Sequence, residues 1–214
     1  MSDYHLQSLG RKEYIASTAL IQDGPSLRFS DQSLAWWDRH FSWNAQGCYV
    51  LCDENNTHLC YLFSKIDRYA EYLTLYNIFT PLVHRRNGYA TLLLKMILDA
   101  ALKQHVKRIT FSSISTSLDF YTVLGFIYWG INEIGDYYCN LPLPKEGLDG
   151  IISMTQKSDI ELLIGKHIDT IFTKIDGNEH RLSAEQILLY EADIVKLGAH
   201  YAHDRLQVLK ARTV

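Results

Sequence analysis

The chain has 214 residues, of which 47% are hydrophobic and 21% charged, with a formal net charge of −3. This composition is typical of a folded globular protein, and the length suits one sizeable core or a domain with an appendage. The slight acidity argues against a general nucleic-acid binder, which needs a basic face, and no stretch reaches the roughly 18 apolar residues of a membrane span.

The N-terminus shows no signal-peptide pattern, because residues 1–5 lack a basic and an apolar region. We therefore expect a cytoplasmic protein. The four cysteines form no Cys-x-x-Cys pair and no zinc-type spacing, so we expect buried thiols that behave as small apolar residues. These cysteines are Cys48, Cys52, Cys60 and Cys139.

One histidine pair is a candidate metal site. His200 and His203 lie three residues apart with Asp204 beside them, and would share a helix face. No third ligand cluster accompanies them, so a solvated helix face fits better, and we predict no metal.

Hydrophobic periodicity and turn residues predict alternating helices and strands over residues 1–145. The expected order begins with helices over 12–21 and from Ser30 onward, followed by strands over 47–52, 58–66 and 72–79. A helix over 91–102, a strand over 107–113, a short helix from Ser117 that Gly125 ends, and strands over 126–131 and 136–141 complete it.

The sequence pattern of the last third of the chain predicts a helical hairpin. Pro142 and Pro144 end the preceding unit, because proline interrupts both strand and helix pairing. Capping boxes at 158–161 and 183–186 each open a helix with one apolar stripe. A hairpin this small is not stable alone. We therefore divide the chain into a domain over 1–145 and a helical extension over 146–214, which docks on that domain or on a second copy of itself.

The segment between the strand over 72–79 and the helix over 91–102 is suited to bind phosphate. A helix N-terminus presents amides with no partner inside the helix and the positive end of the helix dipole. Gly88 lets an anion approach the backbone, and Arg85 and Arg86 add positive charge. The alternative is an ordinary strand-to-helix turn with solvated arginines.

Two motifs resemble the GNAT superfamily of N-acetyltransferases. Arg85-x-x-Gly88-x-Ala90 resembles its acyl-CoA pyrophosphate loop, and 120–126, Phe-Tyr-x-x-x-Gly-Phe, is similar to the element that flanks the CoA arm. The resemblance covers roughly residues 3–143. It implies an α/β fold with a mixed, mostly antiparallel central sheet flanked by helices, to which the C-terminal helical hairpin is added. The first strand of that fold would be a weak one over residues 5–9.

The resemblance also implies a site for acetyl-CoA as co-substrate. Tyr121 would protonate the departing thiolate, and a tyrosine pKa of about 10 keeps the group protonated at neutral pH. A packing residue beside Phe120 is the alternative for Tyr121. The full set of expected cofactor-binding residues is Ile78, Phe79, Thr80, Arg85, Arg86, Asn87, Gly88, Tyr89, Ala90, Thr91, Ser117 and Tyr121.

The general base is less well defined. Several family members carry a glutamate in the middle of the strand before the loop, where this chain has Thr74, Tyr76 and Asn77. The only carboxylate of that region is Glu71, near the start of the strand. It is our candidate base, with a solvated charge at Glu71 and a water chain to the amine as the alternatives.

We expect an N-acetyltransferase that moves the acetyl group directly to a primary amine of a small molecule or peptide. The alternative is a non-catalytic CoA-binding module that uses its helices for protein interaction. We expect no nucleic-acid or membrane partner, and the helices offer a homodimer contact. Five aromatic residues either border the acceptor pocket or belong to the core: Trp36, Trp37, Trp43, Tyr69 and Tyr72.

Overall fold

The computed structural model describes residues 4–43, 47–69 and 71–175, together with 178, 184, 188 and 192. The chain forms two compact units, Met1–Val106 and Lys107–Val214. Each unit contains an antiparallel sheet and helices, so the expected mixed α/β class is confirmed.

The described residues of the first unit form four strands and three α-helices. In chain order these are β1 (His5–Leu9), α1 (Arg11–Thr18), α2 (Gly24–His40), β2 (Cys48–Cys52), β3 (His58–Asp67), β4 (Tyr72–Phe79), a 3-10 turn (Leu82–His84) and α3 (Tyr89–Leu102). The strands pair antiparallel in the order β1-β2-β3-β4. The weak strand expected at the N-terminus is therefore present.

An aromatic cluster fills the core between α1, α2 and the strands. Tyr14 and Trp37 from the helices pack with Phe63 of β3, at ring-centroid distances of 5.1 Å from each helix residue. Helix α3 packs a separate apolar stripe on β2, β3 and β4. Because aromatic rings bury large areas, these contacts fix both helices against the sheet.

Helix α2 begins earlier than the sequence suggested. We expected Ser30 to cap it, but Asp23 is the N-cap, and its carboxylate accepts a hydrogen bond from the Ser26 amide. Pro25 starts this helix instead of separating it from the previous one. Its missing N–H and fixed φ suit the first turn of a helix. Ser30 lies inside α2, where its carbonyl accepts the Tyr14 hydroxyl.

Up to Ile175, the second unit contains three strands and four α-helices. They are β5 (Arg108–Ser113), a 3-10 turn (Ser115–Ser117), α4 (Leu118–Val123), β6 (Gly130–Ile131), β7 (Tyr137–Pro142), α5 (Leu148–Lys157), α6 (Ile160–Ile164), a 3-10 turn (Gly165–His167) and α7 (Ile168–Ile175). The strands pair antiparallel in the order β5-β7-β6. Strand β6 is much shorter than the strand expected over 126–131.

The helices after β7 also differ from expectation. The sequence analysis missed α5, and the single helix expected from the capping box at 158–161 is broken. Gly165 adopts a left-handed φ of +52° and separates α6 from α7. A glycine takes this conformation without the steric penalty of a side chain, so it interrupts an otherwise continuous apolar stripe. Most of the second capping box and of the helix expected after it lies outside the described residues, as do His200, His203 and Asp204.

A buried arginine fastens α6 to the sheet of the second unit. Arg108 of β5 donates from Nε to Oδ1 of Asn140 at 2.8 Å and from Nη2 to the Leu163 carbonyl of α6 at 2.9 Å. On α7, Ile175 packs so closely on Gly130 of β6 that an added Cβ would lie 3.3 Å from it. The described part of the extension thus contacts β5, β6 and β7. Among the described residues, no helix is long and apolar enough to cross a membrane.

Candidate functional site

The loop between β4 and α3 leaves the start of α3 open. Its residues 85–88 are exposed, and Arg86 and Gly88 have left-handed φ angles of +66° and +76°. Gly88 is the N-cap of α3, no side chain caps the helix there, and the first turn contains no acidic residue. A Cβ at Gly88 would meet no atom within 4 Å. The first-turn amides are therefore accessible to an anion.

Two of the predicted phosphate-binding side chains also hold the loop together. Arg85 donates from Nε to the Thr80 carbonyl at 3.0 Å. Asn87 donates from Nδ2 to the carbonyls of His84 and Arg85, both at 3.2 Å. The shape of the loop is thus fixed in part by its own side chains, although residues 85–88 are exposed.

Thr80, the first residue of the loop, is anchored to β3 by a thiol. Its hydroxyl donates to Cys60 Sγ at 3.2 Å, and Cys60 in turn donates to the Phe79 carbonyl at 3.3 Å. Burial raises the pKa of Cys60 to about 12. The thiol therefore keeps its proton at neutral pH and continues to donate to this carbonyl.

Asp23 anchors the next part of the loop from α2. Its Oδ2 accepts a hydrogen bond from the Leu82 amide at 3.0 Å, while Oδ1 accepts one from the Ser26 amide at 2.8 Å. The pKa of this carboxyl lies below its ordinary value, because Ser26, the Leu82 amide and nearby Arg85 favour the charged form.

The first turn of α3 has a second contact with the N-terminus of the chain. The Tyr89 ring lies edge-on to Tyr4, with centroids 5.8 Å apart, and 6.3 Å from His84. A hydrogen bond with Tyr4 raises the pKa of Tyr89. The next two predicted ligand-binding residues, Ala90 and Thr91, are half-buried in the same turn.

Strand β4 contains an irregularity that the sequence analysis did not predict. Phe63 of β3 is opposite Asn77 and Ser64 is opposite Leu75, so Tyr76 is an extra residue, a β-bulge. Beyond the bulge, Ile78 and Phe79 pair with β3, and the Phe79 ring stacks on Tyr61 at 4.8 Å. With the Phe79 side chain in the core, the backbone is what this part of β4 offers to a ligand.

In the second unit, Tyr121 lies in an aromatic cluster on α4. It is 7% exposed, and its ring lies 4.5 Å from Phe111 and 5.9 Å from Phe126. Gly125 ends the helix as predicted, with a φ of +86°. The glycine is also required sterically, because a Cβ there would lie 2.5 Å from Ile152 of α5. Ser117 is the half-buried residue that precedes α4.

Comparison with known proteins identifies the family. Residues 39–142, which run from the end of α2 to the end of β7 and include the loop and α4, match the family model of an acetyltransferase (GNAT) domain. These residues form a GNAT acetyltransferase domain. This confirms the resemblance seen in the two motifs, and it makes acyl transfer from coenzyme A the general function of the family to which the domain belongs.

Solved structures show the same GNAT fold at low sequence identity. Mutant forms of the spermidine/spermine N-acetyltransferase of Vibrio cholerae align at 15% identity and a TM-score of 0.50, over 72% of this chain and 99% of theirs. The N-acetylglutamate synthase of Neisseria gonorrhoeae was solved with coenzyme A and N-acetylglutamate. It aligns at 14% identity and a TM-score of 0.50, over 68% of this chain and 36% of its own. A bacterial toxin aligns at 11% identity and a TM-score of 0.50, over 74% of this chain and 98% of its own. No curated protein sequence matches the chain.

Glu71, the candidate base, lies at the far end of β4 from the loop. It occupies the turn that joins β3 to β4 and has a left-handed φ of +58°. At about 3.3 Å per residue, the intervening strand places it roughly 25–30 Å from Thr80 along β4. Its role as the base of the GNAT domain stays a prediction.

The five aromatic residues considered for the acceptor pocket have different environments. Trp37 is completely buried in the core, and Tyr69 is fully exposed. Trp36 is half-buried and packs on the bulged Tyr76 at 5.2 Å. Trp43 is held by a hydrogen bond from its Nε1 to Asp38, and Tyr72 is the half-buried first residue of β4.

The four cysteines are all free and buried, as predicted. Burial raises the pKa of every one of these thiols, which disfavours the thiolate, the nucleophilic form of cysteine. Within the described ranges, no three metal-ligating side chains come together.

Asp23, Cys60 and Tyr76 are the site residues that sequence reasoning missed. An Asp followed by Gly-Pro-Ser carries a helix N-cap signal that would have identified Asp23. No local signal identifies the other two, because they depend on strand register.

Proposed function

We propose that the chain transfers an acetyl group from acetyl-CoA directly to a primary amine of a small molecule or peptide. The observation that carries this proposal is the uncapped start of α3 beside the open space at Gly88, in a GNAT domain. A pyrophosphate needs several hydrogen-bond donors and a positive potential, and this loop offers both. The residues present therefore fit coenzyme A.

In this proposal the loop holds the donor mainly through its backbone. The amides that follow Asn87 donate hydrogen bonds to the pyrophosphate oxygens, and Arg85 and Arg86 contribute positive charge. The backbone of residues 78–80 and Ser117 align the pantetheine arm and the thioester. Alignment of this kind supplies much of the rate in acyl transfer, because it removes the entropic cost of bringing two reactants together.

The proposed chemistry requires one proton acceptor and one proton donor. The amine nitrogen attacks the thioester carbonyl, a C–N bond forms, and the C–S bond breaks. The amine loses a proton, and the departing thiolate gains one from Tyr121, which is the proposed general acid. Glu71, acting through water because it lies at the other end of β4, is the proposed acceptor of the amine proton, and a water chain to solvent is the alternative.

One observation favours a second candidate function, a non-catalytic module that binds coenzyme A. The centre of β4 carries Thr74, Tyr76 and Asn77, and the only carboxylate of the region, Glu71, lies at the opposite end of the strand from the loop. A module of this kind would bind the cofactor and use its helices for protein contacts. A homodimer through these helices is the form that we propose for such a contact, and sedimentation of the full chain would measure it.

The test is a comparison of Tyr121→Phe with Tyr128→Phe, which removes a second buried hydroxyl from the same aromatic cluster. With a panel of amines, we expect Tyr121→Phe to lower kcat by roughly 10²- to 10⁴-fold and to retain acetyl-CoA affinity. Tyr128→Phe should turn over like the wild type. Unchanged kcat in Tyr121→Phe would exclude the general-acid role.

Calorimetry with acetyl-CoA and with ATP tests the donor separately. We expect micromolar binding of acetyl-CoA and much weaker binding of ATP. Preferential binding of ATP would overturn the proposed donor. Binding of acetyl-CoA without turnover of any amine would favour the non-catalytic module.

A further inference from the structure

Asp23 joins two segments of the first unit that are distant in sequence. One carboxylate oxygen caps the first turn of α2, and the other accepts the amide of Leu82, 59 residues further along the chain. Leu82 opens the 3-10 turn that leads into the loop. Asp23 therefore contacts the loop before the phosphate-binding residues begin.

Leu82 is connected to the rest of the loop by a short series of hydrogen bonds. The Arg85 amide donates to the Leu82 carbonyl at 3.2 Å, and the carbonyls of His84 and Arg85 both accept from Asn87. Asn87 immediately precedes Gly88, the N-cap of α3. These hydrogen bonds link Leu82 to the backbone groups that precede Gly88.

Only a carboxylate satisfies both amides at once. Both neighbours of Asp23 are N–H donors, so each side-chain oxygen must accept. An asparagine at this position would direct its NH₂ group at one of the two amides and lose that bond. A serine would keep the helix cap, since Ser and Asp cap helices about equally well, but its short side chain offers one oxygen.

We propose that Asp23 is a positioning residue for the donor site, which holds the loop in the conformation that binds pyrophosphate. The consequence for binding rests on the proposed function, and the consequence for loop order does not. By capping α2 with the same carboxylate, Asp23 also fixes the loop relative to the helix that carries Trp36 and Trp37. Loop order and the start of α2 then depend on one side chain.

The test uses Asp23→Ser, which separates the two bonds. This variant should keep the α2 cap and lose the bond to Leu82. Asp38→Asn is the matched control, because Asp38 is a carboxylate on the same helix whose side chain pairs with Arg11 at 2.8 Å and accepts a hydrogen bond from Trp43. Asp23→Ala, which loses both bonds, completes the series, and circular dichroism checks that each variant folds.

Amide hydrogen exchange measures loop order without any ligand. We expect Asp23→Ser to speed exchange across residues 80–88 by roughly three- to tenfold, with α2 and the rest of α3 unchanged. Asp38→Asn should leave these amides as in the wild type. Wild-type exchange rates in Asp23→Ser would overturn the proposal.

Calorimetry then measures the effect on the donor. We expect the Kd for acetyl-CoA to rise by roughly three- to tenfold in Asp23→Ser, with KM for acetyl-CoA raised to match and kcat retained. An unchanged Kd beside faster exchange would overturn the role in binding. If the wild type itself fails to bind acetyl-CoA, the proposed function fails, while the exchange experiment still decides whether Asp23 orders the loop.

Discussion

The loop before α3 and the helix that carries Tyr121 are held in place in opposite ways. Residues 85–88 are exposed, and polar contacts fix their conformation. Tyr121 is buried, and its position is set by aromatic rings. In the proposed function the loop contributes backbone amides, whereas α4 contributes the hydroxyl of Tyr121. Substitutions around Tyr121 should therefore lower the stability of the fold, whereas substitutions in the loop should lower the affinity for the ligand.

The largest expected effect comes from removing the packing around Tyr121. Phe111→Ala deletes a ring that is 3% exposed and contacts Tyr121, Phe126 and Tyr128. We expect the free energy of unfolding to fall by about 3–5 kcal/mol, which chemical denaturation would measure. Phe120→Ala, at a half-buried ring on the same helix, is the control and should cost much less. Equal losses would show that α4 is not held by its buried face.

A smaller effect on stability, with a large one on binding, is expected at Gly88. Gly88→Ala should destabilise by about 1 kcal/mol, because a Cβ is disfavoured at a φ of +76°. Gly88→Asn removes most of that strain, since Asn tolerates this conformation, but it fills the open space beside the amides. We expect both to weaken acetyl-CoA binding by roughly tenfold or more.

Gly24→Ala is the control for the Gly88 series. Gly24 also has open space around its Cβ position, but it lacks the left-handed φ and lies at the start of α2. Calorimetry and thermal unfolding should show it near wild type in both respects. If Gly88→Asn binds acetyl-CoA normally, the amides at the start of α3 do not hold the donor.

The smallest effect is expected from Asn87→Ala. The side chain makes two hydrogen bonds within the loop and is exposed. We expect acetyl-CoA Kd to rise by roughly two- to fivefold, without a change in Tm, because the bonds order an exposed segment and bury nothing. Asn55→Ala, in the exposed β2–β3 turn, should change neither quantity. A lowered Tm in Asn87→Ala would mean that the loop supports the fold as well as the ligand.

Local patterns in the sequence predicted β4, α3 and the left-handed glycine that ends α4. These features depend on residues close in sequence: an apolar alternation, a helical stripe, and Gly125 after a short helix. The GNAT fold followed from the two motifs because each lies in a particular strand-to-helix context. The same reasoning misjudged α2, since Gly24-Pro25 has the composition of a break and the geometry of a helix start.

Features that depend on contacts distant in sequence could not be predicted. The bulge at Tyr76 results from the register between β3 and β4, and the Asp23 bond joins residues far apart in the chain. The break at Gly165 in the extension was also not predictable, because the apolar stripe continues through this glycine although the helix ends there. Periodicity describes which face of a segment is buried, and it does not report where the backbone turns.

The buried cysteines have a practical consequence for measuring turnover. Acetyl transfer liberates one CoA thiol per cycle, which a chromogenic disulfide reagent detects by thiol–disulfide exchange. Such exchange requires an accessible thiolate, and all four protein thiols are buried, with their pKa values raised. The native protein should thus contribute almost no background colour. On unfolding, the four thiols become reactive, so the same reagent distinguishes a variant that has lost activity from one that has lost its fold.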